Sequence, residues 1–271
     1  MGKILVHLHL YYPEQIDYML RKLKNITSSY DLFVSICNEN KKLERKILNF
    51  KNDAHIIISE NTGYDLYPFI EVLNKVNLED YDYIIKIHSK NSRRITILNG
   101  VKYRHFDWRN SLINALIGSK HIFKNNLKQL KNPKIAMICC ENLILDIYEE
   151  APNNKTKTNE ILEKLNMERK GSFVAGTMFM VKAELMDIIK KLAFTAQDFK
   201  KNTSNSTGDT GSLAHALETI LGAVIHNQGY EIYASKTFKE DIIDYIQYRL
   251  FSILNYEDKK VVQIFGLRFT L

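Results

Sequence analysis

Glu60-Asn-Thr-Gly-Tyr-Asp-Leu-Tyr-Pro-Phe69 and, one helix later, Asp82-Tyr-Ile-Ile-Lys-Ile-His-Ser-Lys90 decide how this chain folds. In each, an apolar run stops at polar residues. Ala54 to Ser59 gives way to Asn61, Gly63 and Asp65, and Tyr83 to Ile87 gives way to His88 and Lys90. Two strands with a helix between them, both ending in polar side chains rather than in plain turns, place those side chains where open α/β sheets bind ligands. His88 and Lys90 make an anionic ligand the expectation.

Working outward, apolar runs alternate with amphipathic segments in the βαβ pattern of a mainly parallel sheet. Strands are predicted at Lys3 to Leu10, Asp31 to Ile36, Ala54 to Ser59 and Tyr83 to Ile87. Helices are predicted at Pro13 to Lys24, with Pro13 suited to a first turn, at Lys41 to Leu48, and at Tyr67 to Val76. Beyond residue 95 the alternation loosens. Trp108 to Ile122 reads as a helix, Ile135 to Cys140 as a buried strand, Asn153 to Leu165 as a polar helix, Phe173 to Val181 as a strand and Glu184 to Leu192 as a helix. Asp198 to Asp209 is rich in turn formers and reads as a loop. It leads into a long helix from Ser212 to His226. Asp241 to Tyr256 is predicted as an amphipathic helix with Ile242, Ile243, Ile246, Leu250, Ile253 and Leu254 on one face, able to lie on a membrane or to pack on the core. One domain over residues 1–235 is expected, with a ligand half over 1–95 and a second-substrate half over 96–235, followed by an extension over 236–271.

The 271 residues are 45% hydrophobic and 25% charged, the composition of an ordinary globular protein. No apolar run approaches the ~20 residues of a membrane-spanning helix, and His7 interrupts any signal-peptide core, so the expected location is the cytoplasm. Cys37, Cys139 and Cys140 suit neither a disulfide framework nor a zinc site and read as buried apolar residues. The formal net charge of +7 favours anionic partners without choosing among nucleic acid, lipid head groups and phosphorylated substrates.

Familiar nucleotide and metal signatures are missing. There is no Gly-x-Gly-x-x-Gly, no Gly-x-x-x-x-Gly-Lys-Ser/Thr and no His-Glu-x-x-His. His7 and His9 share a strand face, and without a third ligand they read as strand residues beside the site.

Four blocks in order, Asn61-Thr-Gly-Tyr-Asp-Leu-Tyr-Pro-Phe69, Lys86-Ile-His-Ser-Lys90, Phe173-Val-Ala-Gly-Thr-Met-Phe-Met180 and Leu213-Ala-His-Ala-Leu-Glu218, resemble the rhamnan synthesis protein F family of bacterial polysaccharide glycosyltransferases. The resemblance spans roughly residues 3–235. It implies an α/β fold of the GT-A-like, Rossmann-type kind, a mixed sheet flanked by helices, to which the residue reading adds the helical C-terminal segment. It also implies a nucleotide-sugar donor held by the first half and a lipid-linked or oligosaccharide acceptor held by the second, at the inner face of the plasma membrane. Most GT-A enzymes place an Asp-x-Asp for a divalent metal at the end of the fourth strand. Here Ile87-His-Ser-Lys90 stands instead, so no metal or other cofactor is expected, and His88 and Lys90 are expected to bind the diphosphate. Asp65 is read either as a partner for ribose or sugar hydroxyls or as a helix cap, and Asn61 either as a ligand contact or as a turn residue.

For an inverting transfer the resemblance puts the base before a late helix, which matches Asp209; a helix cap is the equal alternative there. Glu218 shares a helix face with His215 at i, i+3 and either orients it or is the base. Thr219 stands where the family usually has Arg. Gly176-Thr-Met-Phe179 is read as either an acceptor wall or a plain buried strand. The expected donor is dTDP-L-rhamnose, with UDP-hexoses next. The rival classes are a nucleic-acid binder using Arg93, Arg94, Lys102, Arg104, His105 and Arg109 with Tyr103, Phe106 and Trp108, and an inactive interaction module on the same fold.

Overall fold

The structure, a computed structural model, describes residues 3–91, 96–98, 101–103, 107–201, 211–237, 242, 246, 250–255, 260–265 and 267–271. The first half builds β1 (Ile4–His9), α1 (Ile16–Leu23), β2 (Tyr30–Ile36), α2 (Lys41–Phe50), β3 (His55–Ile58), α3 (Leu66–Lys75) and β4 (Tyr83–His88). A small hairpin follows, β5 (Thr96–Leu98) with β6 (Val101–Tyr103), then α4 (Asp107–Ile117) and α5 (Lys120–Leu130). The remainder comprises β7 (Ile135–Cys140), β8 (Ile144–Asp146), α6 (Pro152–Lys164), β9 (Ser172–Val174), β10 (Phe179–Lys182), α7 (Met186–Lys190), α8 (Ala196–Lys201), α9 (Leu213–Asn227) and β11 (Glu231–Ser235). Beyond it lie β12 (Phe251–Asn255), β13 (Lys260–Ile264) and β14 (Leu267–Thr270).

Seven strands form one mixed sheet in the order β11-β7-β10-β4-β1-β2-β3. Only β10 runs against its neighbours, pairing antiparallel with both β4 and β7. The α/β class, the Rossmann-type mixed sheet and its flanking helices are therefore as expected. The two halves of the chain share this single sheet, because β10 from the second half lies directly beside β4 from the first. Period two decides which residues each face buries. Ile4, Val6 and Leu8 with Ile85 and Ile87 pack under α1, α4 and α5. Leu5 and Ile84 point the other way, into a core closed by α3, α7 and α9. Cys139 and Cys140 are buried free thiols in that sheet, as read from the sequence.

The structure corrects several boundaries. The helix expected over Trp108–Ile122 is two helices, broken at Gly118-Ser119. Asn126 Nδ2 donates to the Ala115 and Leu116 carbonyls, Asn25 Nδ2 donates to those of Ile117 and Gly118, and Ser119 caps α5. Those amides satisfy the carbonyls that a helix end leaves open. The strand expected over Phe173–Val181 is β9 and β10 separated by a turn at Ala175–Met178. The first residues of the expected loop, 198–201, instead complete a helix, α8. Ser212 is the N-cap of α9, its hydroxyl accepting from His215 N–H. The helix expected to run to Tyr256 gives way to strand over Phe251–Asn255, although Ile242, Ile246 and Leu250 are helical.

Candidate active site

Along one sheet face the parallel strands turn polar together as they approach their carboxyl ends. Leu5 is followed on that face by His7 and His9, Ile84 by Lys86 and His88, and Phe33 by Ser35. Parallel register places His7 beside Lys86 and His9 beside both His88 and Ser35. Ser35 Oγ bonds His7 Nε2 at 2.8 Å and His9 Nδ1 at 2.9 Å, so one hydroxyl ties two imidazoles into the core. Burial keeps His9 neutral, lowering its pKa to about 4, and pushes those of His7 and His88 well below the usual histidine value.

Lys86 is fully buried at the centre of this row. Its ammonium donates to the Asp65 carboxylate, to Thr177 O at 2.8 Å and to Thr177 Oγ1 at 3.2 Å, and it lies over the rings of Phe69 and Phe179. Asp65 occupies the N-cap position of α3, but its side chain makes no capping bond. It accepts instead from Lys86 and from the Thr177 hydroxyl, with His88 Nδ1 at 3.3 Å. Burial alone would raise the Asp65 carboxyl. The neighbouring His88, Lys86 and Lys90 outweigh burial and hold it well below the ordinary carboxylate range. The price of taking two charges out of water is recovered only with such geometry.

The turn that carries Thr177 is left-handed twice over, Gly176 at φ +91° and Thr177 at φ +49°. A β-branched residue is rarely found there. Its hydroxyl and carbonyl are both spent on Asp65 and Lys86, bonds that offset the backbone cost. Gly63 (φ +61°) and Tyr64 (φ +55°) make a second left-handed pair at the entry to α3. A Cβ on Gly63 would sit 2.3 Å from the Phe199 ring, so that position requires glycine on two counts.

Above this buried lock lies a cavity of about 690 Å³. Asn61, Asp65, His88, Lys90 and Trp108 line one side, and Gly176, Thr177, His215 and Glu218 another, with Leu145, Glu150 and Phe173 beyond. Lys90 is aimed by its backbone. Gln15, itself buried, accepts from Lys90 N–H at 3.3 Å and donates to Lys90 O at 2.7 Å, while Arg109 fixes the same Gln15 oxygen at 3.0 Å. The Lys90 ammonium then stacks 3.9 Å from the Trp108 ring centre. Among the described residues Trp108 Nε1 has no hydrogen-bond partner, and His88 Nδ1 meets Asp65 only outside hydrogen-bond geometry. Glu218, on the first turns of α9, accepts from Gly176 N–H. Burial raises its carboxyl to about 7, against the pull of that hydrogen bond and of Lys90. Among the described residues no three His, Cys, Asp or Glu side chains converge as metal ligands.

The profile of rhamnan synthesis protein F matches residues 1–230. This chain belongs to that family. The chain is 21% identical over 235 residues to the uncharacterized protein WxcX of Xanthomonas campestris pv. campestris, in strain B100 and equally in strain ATCC 33913. The match covers 84% of this chain and 32% of WxcX, so the chain spans about a third of the length of the curated relatives it matches. Among solved structures, S. aureus TarS 1-349 aligns with 91% of this chain and 64% of its own, at a TM-score of 0.46 and 10% identity. The 4-diphosphocytidyl-2C-methyl-D-erythritol synthase of Anaerococcus prevotii aligns with 91% of this chain and 99% of its own, at 0.39 and 11%.

In this family member, Asn61, Asp65, His88, Lys90, His215 and Glu218 all line one cavity, while Gly63 shapes the turn behind it. His215 Nδ1 pairs with Ser212 Oγ at 2.7 Å and its ring meets Tyr64 edge-on. Asp209 lies outside the described residues. The N-cap of α9 is Ser212, so of the two readings of Asp209, base or helix cap, the cap of this helix falls away. Arg93, Arg94, Arg104, His105 and Phe106 also lie outside the described residues, as do the side chains of Lys102 and Tyr103. Arg109 is buried against Tyr18 and Gln15 and presents no cation to a polyanion. From the sequence, Lys86 and Gln15 carry no site role and Trp108 has one only within the basic and aromatic run, whereas Gly176 and Thr177, read as either an acceptor wall or a plain buried strand, line the cavity. For Lys86 a signal existed, a lysine inside an apolar strand on the same face as His88.

Proposed function

We propose that this chain is a glycosyltransferase that moves a sugar from a nucleoside-diphosphate sugar to a glycan acceptor in bacterial surface polysaccharide synthesis, with inversion and without a metal ion. The observation that carries the reading is the pairing, across Gly176, of a cation and a base in one cavity. An ideal Cβ on Gly176 would lie 3.3 Å from Lys90 Nζ, and the same residue's N–H donates to Glu218. Family membership supports the same reaction class.

The chemistry follows from these groups. Glu218 takes the proton of the acceptor hydroxyl as that oxygen bonds to the anomeric carbon, and the bond from that carbon to the diphosphate breaks on the opposite side. A carboxyl titrating near 7 suits a base working at neutral pH. Lys90, with the buried Trp108 N–H and the neutral His88, receives the charge that grows on the leaving diphosphate. One preorganised donor of this kind contributes about 3 kcal/mol. A lysine at the end of β4, in the place of a carboxylate, supports metal independence. Among the described residues no helix is long and apolar enough to cross a membrane. Peripheral action at the inner membrane face on a lipid-linked acceptor, with dTDP-L-rhamnose as donor, completes the proposal.

A panel of dTDP- and UDP-sugars, with and without EDTA, tests it by thermal shift, release of nucleoside diphosphate and the anomeric configuration of the product. Selective stabilisation by one donor that survives EDTA and is weakened about tenfold or more in Lys90→Ala is expected. Stabilisation lost with EDTA, or no response to any donor, would overturn the reading.

A further inference from the structure

The small sheet β12-β13-β14 is antiparallel, and its register stacks Phe251, Ile264 and Leu267 in one row and Ile253, Val262 and Phe269 in the next. Period two puts all six on one face, with Leu271 continuing it. Phe251, Ile253, Ile264, Leu267, Phe269 and Leu271 each keep 39–75% of their surface exposed. Phe265, at the turn between β13 and β14, is 78% exposed. The other face is covered only in part. Gln263 is 5% exposed there and β12 lies against the Pro13–Gln15 turn, while Thr270 at its rim is exposed. A three-stranded sheet needs its apolar face covered to be stable, and among the described residues nothing covers this one.

We infer that this face is a self-association surface that pairs with the same face of a second copy, sheet on sheet, about a two-fold axis. Two observations select a second copy. The first is area. Apolar and aromatic side chains of about 200 Å² each, exposed to these fractions, sum to about 800 Å² with Phe265 at the rim, which matches the area per partner in a standard interface. The second is charge. From Phe238 to Leu271, Lys239, Arg249, Lys259, Lys260 and Arg268 are balanced by Glu240, Asp241, Asp244, Glu257 and Asp258, so the extension has no net attraction for an anionic lipid surface. Rows of alternating large side chains suit the aligned packing of two sheets, whose inner faces interdigitate about 10 Å apart.

The inference is independent of the enzymatic reading and is tested on the full chain by sedimentation equilibrium. A mass of twice 31.6 kDa is expected. Phe269→Glu should weaken association by at least about 30-fold, the size of one interface anchor. Thr270→Glu, whose side chain points off the opposite face of the same strand, should leave it intact. Circular dichroism of both variants separates dissociation from unfolding, and the wild-type mass stands without either variant. A monomer at all concentrations would overturn the inference, as would association that survives both Phe269→Glu and Leu267→Glu. A wild-type monomer that sediments with phosphatidylglycerol vesicles would reassign the face to lipid.

Discussion

Replacing Glu218 with Gln separates the electrostatics of the cavity from its shape. Gln retains an oxygen able to accept from Gly176 N–H, and it removes the only feature of the side chain that titrates. The wild-type carboxyl has its pKa raised in the folded state from 4.5 to about 7. Between those pH values the unfolded chain has released a proton that the folded chain still holds, so wild-type stability falls as pH rises from about 4.5 to about 7 and is level above. At about 1.4 kcal/mol per pH unit the full difference is about 3 kcal/mol. Glu218 is partly open to the cavity, which reduces the expected value to about 2–3 kcal/mol. Urea unfolding of both proteins from pH 4 to pH 9 should therefore show E218Q gaining stability relative to wild type by that amount above pH 7 and by nothing near pH 4. The same substitution should cut sugar transfer by about 10²–10⁴-fold while donor binding persists. The wild-type rate should rise through about pH 7 and then level. A stability difference that does not change with pH would refute the assignment of a raised carboxyl, whatever the effect on rate.

Lys86→Met leaves the Asp65 carboxylate buried without its ammonium and should cost about 3–5 kcal/mol in urea unfolding. Adding Asp65→Ala should recover part of that loss, and strictly additive losses would show that the two groups do not act as a pair. Gly176→Ala places a Cβ 3.0 Å from Leu112 Cδ1 in a backbone conformation of φ +91°, so it should lower stability by about 1–3 kcal/mol and displace Lys90. An unchanged unfolding midpoint would mean that the turn adopts another conformation.

The parallel half was legible because strands buried on both faces read as near-continuous apolar runs. The register was readable too, since His88 and Lys90 end β4 where the run stops. Lys86 and Asp65 were not legible as a pair. Their partnership depends on Thr177, which is 91 residues from Lys86 and sits in a left-handed turn hidden inside the apolar run Phe173–Val181. Gly176 was its only local mark. The C-terminal region went wrong for a different reason. Leu250, Ile253 and Leu254 satisfy helical spacing while Phe251 and Ile253 satisfy strand spacing, and a run this short does not choose between them. The partners that decide it, Val262 and Ile264, arrive only with β13. Glu218 was found as a residue but not as a raised acid, because its burial under the β9–β10 turn is a tertiary fact.

The lock of Lys86, Asp65 and Thr177 also has a temporal side. As the chain leaves the ribosome, β1 to β4 emerge before β9 and β10 and have each other to pair with, yet this half carries an ammonium and a carboxylate whose remaining partner has not been made. Only when the β9–β10 turn arrives do these groups gain a third member and the cavity its second wall. No fragment ending before Thr177 owns a complete cavity, so an interrupted chain has nothing with which to enclose a ligand. Any ligand that fills the finished cavity holds both halves at once, and its binding should be felt as a delay in the unfolding of the whole sheet rather than of one half.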